Sequence, residues 1–105
     1  VGGDYRNEPA DADNAAVTSD GGKTWRPVSV RRPGGFREAV AAVPGDSSSP
    51  AVTVGPSGSD VSFDGGQTWI AIGGPEGFHT LGFAGKGRAA WAAGRNGLIA
   101  RLAFR

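Results

Sequence analysis

The sequence has no cysteine, a single histidine and a single tyrosine in 105 residues. Without cysteine there are no disulfides and no thiolate metal sites, and neither redox compartment is favoured. The lone His79 has no second histidine or cysteine to complete a transition-metal site. No apolar run approaches the ~20 residues that a membrane-spanning helix requires. Charge of one sign is also missing: 11 basic and 10 acidic side chains leave a formal net charge of +1. That balance offers no electrostatic footprint for nucleic acid or for an anionic membrane surface. The chain opens at Val1 with neither an initiator Met nor a signal segment, which reads as a mature product or a fragment.

What the sequence has in excess is glycine, 19 residues, beside an apolar content of 38%. The glycines follow no every-third-residue period, so many short strands joined by tight turns account for them, within at most one ordinary domain. One phrase occurs twice. Thr18-Ser19-Asp20-Gly21-Gly22-Lys23-Thr24-Trp25 and Ser62-Phe63-Asp64-Gly65-Gly66-Gln67-Thr68-Trp69 share the template Ser/Thr-x-Asp-x-Gly-x-Thr-Trp, and their aspartates lie 44 positions apart. A period of that length built on a turn points to repeated sheet units such as propeller blades. In such a hairpin the Asp carboxylate can accept backbone N–H bonds, Gly22 and Gly66 stand where a Cβ would clash, the hydroxyls tie the strand ends, and Trp25 and Trp69 bury aromatic surface against the sheet.

Between the phrases the chain divides into three units. Residues 1–30 form a partial unit: a short strand tail at Val1–Asp4, a polar loop, a strand over residues 15–18 and another from Thr24 to Val30. Residues 36–72 form a full four-stranded unit beginning with an apolar strand from Phe36 to Val43. Residues 77–105 form a second partial unit, with strands over 79–84, 89–94 and 98–104 and a turn at Arg95-Asn96-Gly97. Gly77-Phe78 answers Gly35-Phe36 at a spacing of 42, and Gly94-x-x-Gly97 answers Gly55-x-x-Gly58 at 39. No segment reads as an amphipathic helix. The expected fold is all-β: a partial β-propeller of four-stranded antiparallel blades, one full and two partial, completed by self-association or by a missing part of the parent chain.

The two phrases resemble the Asp-box, or bacterial neuraminidase repeat, of sialidases and related propellers. The run Ala90 to Leu102 resembles the Trp-Ala-x-Gly-x-x-Gly-x-Ile strand pair of photosystem II stability/assembly factor-like propellers, as do Gly2-Gly3-Asp4-Tyr5 and Val54 to Asp60. The resemblance implies the last two to three blades of a longer propeller. It also implies a non-catalytic scaffold or protein-interaction surface, a protein partner or a second copy of the chain, no cofactor, and a periplasmic or extracellular bacterial setting. The alternative is part of a carbohydrate-active or glycan-binding propeller.

Chemistry is harder to find. A sialidase-type site needs an arginine cluster, a Tyr/Glu pair and an acid Asp, and the only tyrosine is Tyr5. The carboxylates available for glycoside hydrolysis are Asp4, Glu8, Glu38, Asp60 and Glu76, and the sequence pairs none of them. The acidic loop Asp4 to Asp13 fails the EF-hand pattern, with Ala15 and Ala16 where an Asx and a Gly are required, and reads as a solvated loop, with a looser calcium site as the minor alternative. Gly85-Lys86 lacks the first glycine of a phosphate loop. Arg31, Arg32, Arg37 and Lys23 read as a solvated edge that deters strand pairing. Phe36, Phe78, Phe83 and Trp91 are assigned to packing between units. No catalytic residue and no metal ligand is assigned. Because propellers bind ligands on inner strands and top loops, Arg37, Glu38, His79 and Arg95 are the candidate binding face.

Overall fold

Short runs of alanine and β-branched residues between glycine turns fold into three antiparallel sheets in the computed structural model, which describes residues 1–85 and 88–104. Lys86, set aside above as a phosphate-loop lysine, lies outside the described residues. The first sheet pairs β1 (Ala16–Val17) with β2 (Arg26–Pro27). The central sheet runs in the order β3 (Ala39–Ala42), β4 (Ala51–Gly55), β5 (Gly58–Ser62), β6 (Ile70–Ile72). The third contains β7 (Phe78–Phe83), β8 (Ala89–Gly94) and β9 (Ile99–Ala103), with a 3-10 turn over Arg95–Gly97. No α-helix occurs among the described residues.

Several elements are shorter than their sequence signal. The expected strand from Phe36 to Val43 contracts to Ala39–Ala42, because Phe36 and Arg37 are drawn into contacts with the first sheet's loop. Val1–Asp4 belongs to no strand. Gly2 instead links two segments, its N–H donating to the Asn14 carbonyl and its carbonyl accepting from the Arg37 N–H. Of Thr24 to Val30, only Arg26–Pro27 pairs as strand.

The sheets stack in chain order, and strand alternation decides what each face buries. Ala15, Val17 and Val28 of the first sheet meet Ala51 and Trp69 on one face of the central sheet. Val52 and Val54, on the other face of β4, meet Phe78, Leu81, Ala92 and Leu102 of the third sheet. With both faces covered, every residue of β4 is buried, and its sequence Ala-Val-Thr-Val-Gly lacks the polar alternation of a half-solvated strand. Glycine is required where strands end against the neighbouring backbone. A Cβ on Gly55 would overlap the Phe36 carbonyl oxygen, and one on Gly94 would overlap that of Gly77.

The same alternation overturns two expected burials. Val28 and Val17 point at the central sheet, so Trp25 points the opposite way and is 60% exposed, whereas Trp69, at the same place in the central sheet, is 6% exposed beneath the first. Ala90 and Ala92 face the central sheet, which turns Trp91 outward at 53% exposure. Phe78 is buried and Phe83 half-buried between sheets, while the half-buried Phe36 lies in the connection before β3.

Candidate functional site

Each repeated phrase closes on its own aspartate. In the first, the Thr24 N–H donates to Asp20 Oδ1 at 2.9 Å, the Thr24 hydroxyl to Oδ2 at 2.5 Å and the Thr18 hydroxyl to Oδ1 at 2.8 Å. In the second, the Thr68 N–H reaches Asp64 Oδ1 at 2.9 Å, the Thr68 hydroxyl reaches Oδ2 at 2.5 Å, and the Ser62 hydroxyl reaches Oδ1 at 2.9 Å. The Thr18 and Ser62 oxygens accept from the N–H groups of Gly22 and Gly66. Each Trp indole N–H donates to the carbonyl of the same glycine, at 3.1 Å for Trp25 and 2.9 Å for Trp69. Backbone angle rather than crowding explains the first of these glycines. Gly22 has φ 92° and Gly66 φ 90°, a region costly for residues with a Cβ. A Cβ on Gly22 would meet nothing closer than 3.7 Å, although one on Gly66 would stand 3.3 Å from Val17.

These bonds favour the ionised carboxylates. Asp20 is held at about 2, below its ordinary 3.8, first by the Thr24 hydroxyl, then by the Thr24 N–H and the Thr18 hydroxyl. Asp64 is lowered by the Thr68 hydroxyl, the Thr68 N–H and the Ser62 hydroxyl. Both folded values lie below the unfolded ones, so the stability the two groups contribute is present above the ordinary carboxylate value and is lost as pH falls through the folded value. Asp46, held at about 2 by Ser48 and Arg88, adds to the same limb. The double variant Asp20→Asn/Asp64→Asn is expected to be less stable at neutral pH and to lose stability less steeply between about pH 4 and pH 2. Acid titrations followed by circular dichroism measure the slope, and an unchanged slope would count against the locks.

Of the four candidate binding-face residues, Arg37 is inside. It is 3% exposed, its Nε donates to Asp60 Oδ2 at 2.7 Å, and one of its terminal nitrogens donates to the Phe36 carbonyl and the Ser57 hydroxyl. The Gly34 N–H donates to Asp60 from 3.2 Å, and Ser57 passes the network on to the Glu8 carbonyl. Buried Asn14 ties in the same loop, its amide donating to the Pro33 and Gly35 carbonyls. Arg37 therefore belongs to an internal junction joining the first sheet's loop to the β4–β5 hairpin, and Asp60 is held there as its counter-ion. Arg32 pairs with Asp11 at 3.5 Å. The sequence signal for this junction was the aspartate itself, set inside a strand between Ser59 and Val61.

The structure does bring Glu38 and His79 together, Oε2 to Nδ1 at 2.6 Å, both partly exposed, where the entry to β3 meets β7. Arg88 and Asp46 make a second link between the central and third sheets at 2.8 Å. Arg95 is exposed in the 3-10 turn, beside a shallow depression with Pro56 and Glu76. Between the central and third sheets lies a cavity of about 130 Å³ lined mainly by Val52, Val54, Ile72, Phe78 and Leu81. It contains no carboxylate and no histidine. Among the described residues no three His, Cys, Asp or Glu side chains converge on a point where a metal ion could sit. No helix there is long and apolar enough to cross a membrane.

No family model, curated protein or solved structure matches the chain.

Proposed function

We propose that the three sheets are successive blades of an Asp-box β-propeller of the photosystem II stability/assembly factor-like group, and that this segment works as a non-catalytic scaffold presenting a surface to protein. The observation that carries the reading is the repeated lock. In two consecutive sheets the same aspartate is bound by the same hydroxyls and N–H groups at closely matching distances, which leaves neither carboxylate as a reagent. Asp60 is likewise neutralised by Arg37, and Glu38 is paired with His79. A hydrolase would need two carboxylates facing one substrate space. Of the five carboxylates open to that role, Asp60 and Glu38 are instead engaged in holding segments together, and Asp4 accepts from the Arg6 N–H within its own turn.

The competing reading is a carbohydrate-active or glycan-binding propeller, which the Asp-box resemblance alone would permit. A fluorogenic glycoside panel and a glycan array separate the two. The scaffold reading expects no turnover and no reproducible glycan binding. Turnover abolished by Glu38→Gln would reverse the ranking.

A further inference from the structure

The two ends of the stack carry complementary faces. Within the chain each sheet contributes the same pair of faces in the same order. One face carries the Trp of the lock or its β4 neighbour Ala51 and packs against the sheet before it. The opposite face, carrying Val52 and Val54 in the central sheet, packs against the sheet after it. The first sheet exposes a face of the first kind, with Trp25, Ala16 and Pro27, and no other sheet of the structure lies over it. The third exposes a face of the second kind. There Trp91, Ile99 and Arg101 stand outward, with Gly82 and Arg101 paired directly across Trp91.

We propose that this chain associates head to tail with a second copy of itself, the outer face of the third sheet of one copy covering the outer face of the first sheet of the other. The inference rests on the scaffold reading and names its partner. Two observations select a copy of this chain as the occupant. A second copy offers, on one body, both the face each end lacks and the orientation already used twice inside the chain. The charges also match. Arg101 stands beside Trp91 on the outer face of the third sheet, and Asp13 borders the groove that Ala16, Trp25 and Pro27 form on the outer face of the first. Stacking head to tail brings Arg101 of one copy to the face that carries Asp13 in the other, while head-to-head stacking opposes like charges. Two copies in a closed arrangement bring together six sheets, within the roughly four to eight blades of closed propellers, and closure prevents a head-to-tail contact from running on into a filament.

Light scattering after size exclusion is expected to give twice the 10.6 kDa mass of one chain. Trp91→Glu blocks one face and Ala16→Arg the other, so each variant alone is expected at the mass of one chain. Both substitutions fall on exposed side chains, and circular dichroism melting checks that each variant keeps the wild-type fold. Mixing the two variants is expected to restore the doubled mass. One interface is then wild type on both sides, and the other sets the introduced cation against the introduced carboxylate. A wild-type chain that stays at 10.6 kDa across concentrations, or folded variants that keep the doubled mass, would overturn the proposal. A monomer without glycosidase activity would remove the association and leave the scaffold reading standing, whereas glycoside turnover by a dimer would do the reverse.

Discussion

Replacing Asp60 with alanine is expected to lower the unfolding free energy by about 3–5 kcal/mol, the usual cost of leaving one member of a buried ion pair without its partner. Arg37 would keep its charge at 3% exposure and lose the carboxylate 2.7 Å from its Nε. The Gly34 N–H would lose its acceptor as well. Arg37→Met combined with Asp60→Leu removes both charges at once and should recover part of the loss, since exchanging a buried pair for apolar side chains is often neutral or better. Recovery should be incomplete here. The Arg37 guanidinium also donates to the Phe36 carbonyl and the Ser57 hydroxyl, which an apolar pair leaves with fewer donors, at roughly 1–3 kcal/mol for each buried group left unsatisfied. Urea titrations give the ordering directly: wild type, then the double variant, then Asp60→Ala. A single variant within about 1 kcal/mol of wild type would mean that the junction behaves as an exposed pair.

This junction also marks the boundary of what the sequence makes legible. The locks at Asp20 and Asp64 are readable because every donor and acceptor lies within seven residues of its partner, so composition and spacing specify them locally. The partners Arg37 and Asp60 are 23 residues apart, and Glu38 and His79 are 41 apart. Nothing in a local pattern says which arginine will be carried inward. The length of β3 follows from the same cause. Phe36 to Val43 has the composition of one strand, yet Phe36 and Arg37 bond backward, to Glu8 and Gly2, before the chain can join the sheet at Ala39. Burial of the aromatic residues was equally out of reach. Trp25 and Trp69 close phrases of the same template, and their different fates depend on whether a neighbouring sheet lies over that face.

That difference makes the second large prediction a comparison between twins. Trp69→Ala should cost about 3–5 kcal/mol, as deletion of a buried aromatic side chain commonly does, a large fraction of the roughly 5–15 kcal/mol that stabilises a domain. The indole packs with Ala15, Val28 and Ala51 and bonds to the Gly66 carbonyl, so its loss empties the space between two sheets and loosens a turn together. Trp69→Phe should lie between the two, keeping most of the packing but leaving the Gly66 carbonyl without its donor. Trp25→Ala removes the corresponding bond to Gly22 in a turn that nothing covers, and should stay within about 1 kcal/mol of the parent. The comparison belongs in the Trp91→Glu background, where head-to-tail association is blocked and folding is measured on a single chain. With that block removed, Trp25 should matter again, through the mass of the assembly rather than the stability of the monomer. Equal losses for the two residues would mean that the indole acts through its own turn. Unequal losses place its effect in the sheet stacked above it, and leave the mass of the assembly as the measurement that reads the exposed twin.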